Sequence, residues 1–207
     1  RESGYSCDGL APVGEPGVVR RAAHPRRNLE IDRRLDGSED ATLFALMNTC
    51  RTPMGGRLLR RWLNAPSRDA GEVAARQQAV AALLEDLDVD VLRGELDAVG
   101  DLERVVSRLA LGRAGPRDLA RLRSALARFP DIRRNLAPDT ATIGPGAPRL
   151  DVLAGALPDF AGELGLLRRA LVDTPPVTVR DGGVIARGFD PKLDELRDLT
   201  ENASRWL

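Results

Sequence analysis

The chain has 207 residues, 43% hydrophobic and 30% charged, with Lys plus Arg balancing Asp plus Glu at 31 each. This is the composition of a soluble globular protein long enough for a real core, and it excludes a global basic field that would collect nucleic acid or anionic membrane. Aromatic residues at 3% argue against base stacking on aromatic platforms, and no apolar run is long enough to span a bilayer.

Two cysteines, Cys7 and Cys50, make no disulfide framework and suit a reducing, cytoplasmic setting. With His24 as the one histidine, a His/Cys metal cluster would lack ligands. The start of the chain, RESGYSCDGLAPVGEP, has no apolar core and is not a signal peptide. Residues 1–25 are rich in Gly, Pro and charge and read as a linker or the end of a preceding domain, with one short extended segment at Val18-Val19.

Beyond it, Ser38 is the expected N-cap of a helix carrying Leu43, Leu46 and Met47. Thr52-Pro53 opens the next helix, where Met54, Leu58 and Trp62 adjoin Leu59 and Leu63 in two apolar stripes. Gly55-Gly56 costs that helix roughly 1 kcal/mol each relative to Ala, so close packing against a neighbour is expected there. Asp69 with Glu72 resembles a capping box, opening a helix to about residue 85 with Val73, Val80, Leu83 and Leu84 inward. A short helix follows on Val91, Leu92, Leu96 and Val99.

Leu102, Val105, Val106 and Leu109 then recur at helical spacing until Gly112 stops them. Leu119, Leu122, Leu126 and Phe129 form the next stripe, so GRAGPR joins two helices into an αα-hairpin. Residues 137–148 are too rich in Pro and Gly for helix and read as a surface loop. Helices resume on Leu150, Val152, Leu153 and Leu157, and again on Leu164, Leu167 and Leu171. Val177 and Val179 with Val184 and Ile185 flank Asp181-Gly182-Gly183, the signature of a tight β-hairpin. Asp190-Pro191 starts a last helix, with Leu193, Leu196, Leu199 or Thr200, Ala203 and Trp206-Leu207 at its spacing and no cap before the final residue, so the pattern is expected to continue.

The predicted fold class is mostly α, a helical bundle with one small β-hairpin. Catalytic chemistry is missing from it. The single lysine, Lys192, lies in Asp-Pro-Lys-Leu-Asp, so a P-loop cannot be drawn, and no Gly-x-Gly-x-x-Gly follows a strand. Gly182-Gly183 reads as a turn, His24 as a solvated side chain, and Cys50 as a small hydrophobe ending a helix. Asp194, Glu195, Asp198 and Glu201 alternate with Arg197 and Arg205, the pattern of a solvated helix face. The arginine pairs at 26–27, 33–34, 60–61, 133–134 and 168–169 are dispersed among acids, which leaves phosphate contact a minor alternative. No residue is assigned a catalytic, cofactor-binding or metal-binding role.

Four blocks carry more: RRNLEI (26–31), TPMGGRLLRRWLNAPSRD (52–69), DLERVVSRLALGRAGPRDLARLR (101–123) and DTPPVTVRDGGVIARGFDPKLDELR (173–197). In this order and spacing they resemble the core, or lever, domain of the MutS family of DNA mismatch-repair proteins, over residues 26–207. The resemblance implies a helical bundle that supports long lever helices leading to a DNA clamp, with residues 190–207 as the first turns of the outgoing lever. It implies a parent protein that binds ATP and Mg and mispaired duplex DNA, pairs with a second MutS subunit and engages a downstream MutL-type factor. This segment would carry no cofactor and no catalysis, and could self-associate through apolar surface on its last helix. Before RRNLEI the family commonly has a short strand and Asp-Ala-Ala-Thr, where this chain has Arg21-Ala22-Ala23-His24-Pro25. The mismatch-reading Phe-x-Glu and the ATPase signatures do not occur. The alternative function is a helical protein-interaction module, or a MutS-like protein of recombination.

Overall fold

The computed structural model describes residues 28–85, 88–136 and 148–205. Cys7, Val18-Val19, His24, the arginine pair at 26–27, residues 137–147 and Trp206-Leu207 lie outside the described residues, and the expectations placed on them with it. Among the described residues the chain is helical, its β pairing reduced to one isolated antiparallel bridge.

The chain divides into two compact units. The first takes the described residues up to Asp97 together with Asp131–Leu157, and contains α1 (Leu43–Met47), α2 (Pro53–Asn64), α3 (Ala70–Glu85), α4 (Val89–Asp97), most of α7 (Phe129–Leu136) and α8 (Pro148–Gly155). The second takes Ala98–Pro130 and the described residues from Pro158 on, with α5 (Leu102–Ala110), α6 (Pro116–Leu126), α9 (Ala161–Ala170) and α10 (Pro191–Arg205).

In the first unit the cap of α1 is Thr42, not Ser38. The Thr42 hydroxyl accepts from the Ala45 N–H at 3.1 Å and donates to the Glu39 carbonyl at 2.9 Å. Ser38 turns instead to its own neighbour, donating from Oγ to Asp36 at 2.6 Å. The helix is therefore shorter than expected and buries Phe44, while Leu46 is 80% exposed. Phe44 is fixed from two sides. Its N–H donates to the Ile31 carbonyl at 2.8 Å, and the Arg60 guanidinium lies 4.3 Å from its ring centre.

Helix α2 starts as its sequence dictates, with Thr52 Oγ1 accepting from Gly55 N–H at 3.1 Å and Pro53 in the first turn, where its missing donor costs nothing. The neighbour of Gly55-Gly56 is the turn just before the helix rather than another helix. A Cβ on Gly55 would stand 3.2 Å from Thr52 Oγ1, and one on Gly56 3.4 Å from Asn48 Oδ1. Cys50 lies in that turn, exposed and outside any helix, so its expected role as a helix-ending hydrophobe does not hold.

Asp69 caps α3 by accepting from Gly71 at 2.8 Å and Glu72 at 3.2 Å. The box does not close on itself. Glu72 accepts from Ser67 Oγ at 2.8 Å and pairs with Arg76, which lies 3.9 Å over the Trp62 ring. Ala79 and Ala82 of α3 face Leu150 of α8, with Leu83 and Leu136 alongside. Val73, Val80 and Leu84, expected inward, face outward.

In the second unit, Val105 is buried and Gly112 ends α5 at φ 63°, a left-handed conformation that costs glycine little. The αα-hairpin forms as expected. Helix α6 packs on both α5 and α9, burying Pro116, Ala125 and Leu126. Phe129 does not extend the α6 stripe but opens α7, its ring meeting Phe160 edge-on at 5.8 Å.

The expected β-hairpin does not form around Asp181-Gly182-Gly183. Val179–Asp181 is a turn of 3-10 helix, with the Asp181 carboxylate accepting from Thr178 N–H at 3.0 Å. Gly182 has φ 71° and ψ −178°, which matches neither central position of the type I′ or II′ turns that close two-residue hairpins. Val184 and Ala186 pair instead with the end of α9: Val172 N–H donates to Val184 O at 3.1 Å and Ala186 N–H to Ala170 O at 2.9 Å, around the Leu171–Ile185 bridge. The pairing is longer in range and ties the loop to the helix core.

Candidate functional site

The densest set of specific contacts in the second unit surrounds the root of α10, and arginines make most of them. Arg123 projects from α6 beside the apolar stripe and is half-buried. Its Nη1 donates to the carbonyls of Leu171 and Val172, both at 3.1 Å, and Nη2 to that of Asp173 at 2.7 Å. These are the carbonyls that follow the end of α9, where the helix dipole leaves partial negative charge. One cation therefore closes the end of α9 onto α6.

The bridge carries this fixation to Ile185, and a second arginine carries it on to α10. Arg197 Nη2 donates to the Ile185 carbonyl at 2.9 Å, while its Nη1 pairs with Asp194 at 3.3 Å. Asp194 in turn accepts from Gly188 N–H at 2.6 Å, and Asp190 caps the helix by accepting from Lys192 N–H at 2.9 Å. Further out, Arg187 reaches Asp198 at 3.0 Å and Glu201 at 2.6 Å. The carboxylates of α10 thus do more than solvate a face, as their alternation had implied. Asp194, Asp198 and Glu201 clamp the loop at residues 187–188 to the first three turns of α10.

The other end of the path is fixed at Asp118, which is 7% exposed. Its carboxylate accepts from Gly115 N–H at 3.1 Å and from Arg108 Nη1 through both oxygens, each at 3.1 Å. The Gly115 N–H, then Arg108, hold this carboxyl below its ordinary value against the opposing effect of burial. The αα-hairpin is closed by charge as well as by apolar packing. From α5 through α6, α9 and the bridge to α10, each step is a named hydrogen bond or ion pair.

The arginine pairs have mixed fates. Arg33 and Arg60 share Glu39, Arg34 meets Glu30 and Asp36, and Arg134 meets Asp131. Arg61, Arg133, Arg168 and Arg169 are exposed. Of the residues that hold the α10 root, Arg123 is not singled out by the sequence reading, and Arg197, read there as part of a solvated face, is bonded to Ile185 and Asp194 instead. A signal existed: Arg123 stands four residues after Leu119, beside the inward stripe, where a guanidinium needs carbonyls or carboxylates. Among the described residues, no three His, Cys, Asp or Glu side chains gather as a metal site.

These features define a helical domain of two units, the second held together by arginine-mediated contacts within itself. A family model described as MutS domain III matches residues 24–205, and the chain belongs to that family, the core domain of MutS-type DNA mismatch-repair proteins. No helix of the described residues is long and apolar enough to cross a membrane.

Proposed function

We propose that this domain acts as a mechanical coupler in its parent mismatch-repair protein, with α10 as the root of a lever that runs to a DNA clamp. In this reading the parent binds mispaired duplex DNA, hydrolyses ATP with Mg in another domain, pairs with a second subunit and hands on to a MutL-type factor. Coupling between two sites requires an element whose position both sites bias. The observation that carries the reading is the unbroken run of fastenings from Asp118 to Arg123, across Leu171–Ile185, to Arg197 on α10. It lets the helix root move only with the bundle.

The test is made in the parent protein, by measuring mismatched-duplex affinity with and without ATP for wild type and for Arg123→Met with Arg197→Met. ATP turnover and nucleotide-free affinity should persist, while the ATP-induced change in affinity shrinks from a coupling of about 1–3 kcal/mol toward zero. A double variant with full coupling would refute the role.

A further inference from the structure

The grip on α10 has an inner and an outer part, and they differ in exposure to water. The inner part is Arg197, bonded to the Ile185 carbonyl at 2.9 Å and to Asp194 at 3.3 Å, with the two side chains 23% and 21% exposed. The outer part is Arg187, which meets Asp198 in the second turn at 3.0 Å and Glu201 in the third at 2.6 Å. All three of these side chains are more than half exposed. Arg187 follows Ala186, whose N–H donates to the Ala170 carbonyl at 2.9 Å, so the outer contacts start from backbone already fixed to α9.

Apolar burial does not hold the helix beyond Arg197. Every side chain from 198 to 202 is exposed, Leu199 at 66%. The carboxylates there also need a cation. Asp194, Asp198 and Glu201 stand at i, i+4 and i+7 on one face, where like charges repel. Arg197 answers the first of them, and Arg187 answers the other two.

We infer that Arg187 is a salt-released strap that decides how far along α10 the fixed root extends. Ion pairs this exposed are individually weak, and the screening length around them falls from about 30 Å at 0.01 M salt to about 3 Å at 1 M. The half-buried contacts of Arg197, one of them to a carbonyl, are screened much less. In dilute salt the fixed part therefore reaches the third turn, and in concentrated salt it ends near Arg197. Removing the cation reverses the sign. Without Arg187 the carboxylates of Asp198 and Glu201 repel, and salt relieves that repulsion. The strap goes beyond the proposed coupling and does not rest on it, since every group in it belongs to this chain.

The test is amide hydrogen exchange on the 207-residue chain, in about 0.01 M and about 1 M sodium chloride. Protection of Glu201 and Asn202 is read relative to the amides of α6 in the same sample, for wild type, Arg187→Gln and an exposed control, Arg180→Gln. In wild type it should fall about threefold from low to high salt, while that of Asp194 changes less. Arg187→Gln should start from the high-salt wild-type level and stay there or rise as salt is added. Arg180→Gln should follow wild type. A wild-type third turn equally protected at both concentrations would overturn the strap. So would an Arg187→Gln variant that keeps the wild-type fall, or an Arg180→Gln variant that loses it. ATP-linked coupling in the parent is a separate reading, untouched by any of these results.

Discussion

At the scale of single residues, the most informative side chain is one that the apolar pattern passes over. Asp118 sits at the start of α6, nearly excluded from solvent, and is stabilised by the Gly115 N–H and then by Arg108. Its carboxyl is held below the ordinary aspartate value of 3.8, so its contribution is fully present above about pH 4 and disappears as the pH falls through the lowered folded value. Asp118→Asn keeps the shape but removes the charge. It should cost about 2 kcal/mol near neutral pH, and the penalty should vanish in acid, as read by urea unfolding at several pH values. A penalty that stayed constant down to about pH 3 would contradict the assignment. Gly56 gives the opposite sign. Its added Cβ would make ordinary contact with Asn48, so Gly56→Ala should stabilise by about 0.5 kcal/mol in the same assay, through helix propensity. The two glycines, expected to be required by packing, are not equivalent, since Gly55 crowds the Thr52 cap at 3.2 Å.

At the scale of elements, local chemistry was legible wherever a helix start is decided by its own residues. Thr52-Pro53, Asp69 and Asp190-Pro191 open α2, α3 and α10 as their sequences predict, because caps are short-range. The departures fall where a partner distant in sequence decides. Val184 and Ile185 have the composition of a hairpin arm, yet their partner is the end of α9, reached because Val179–Asp181 coils into a 3-10 turn. Helix α3 has two candidate inward faces, and the alanine face, not the valines, packs on Leu150, a partner distant in sequence. Arg123 was invisible for the same reason: its three acceptors are some fifty residues away, at 171–173. Arg123→Met should therefore cost about 2–3 kcal/mol of stability, with the amides of Val172 and Ala186 showing the largest drop in hydrogen-exchange protection. A uniform drop in protection across α5, α6 and α9 would show a global effect instead of a latch.

At the scale of the whole molecule, the helical class and the family were both readable, since four separate blocks of sequence lie within the matched residues 24–205. What those blocks share is physical. RRNLEI ends in Ile31, whose carbonyl receives Phe44; the second block contains the Thr52 cap and Trp62; the third contains Arg108, Asp118 and Arg123; the fourth contains Ile185 of the bridge, Asp194 and Arg197. The candidate site was legible only as a place, the stretch leading into the last helix, because its fastening depends on arginines whose partners are backbone carbonyls and carry no sequence signature. The central claim is that α10 begins as part of the second unit and does not hinge at residues 185–190. Native-state hydrogen exchange on the amides of Ala186, Gly188 and Asp194 tests it most directly. These amides should exchange with nearly the same opening free energy as those in α6; exchange of the three several kcal/mol more readily than α6 would show a free hinge and contradict it.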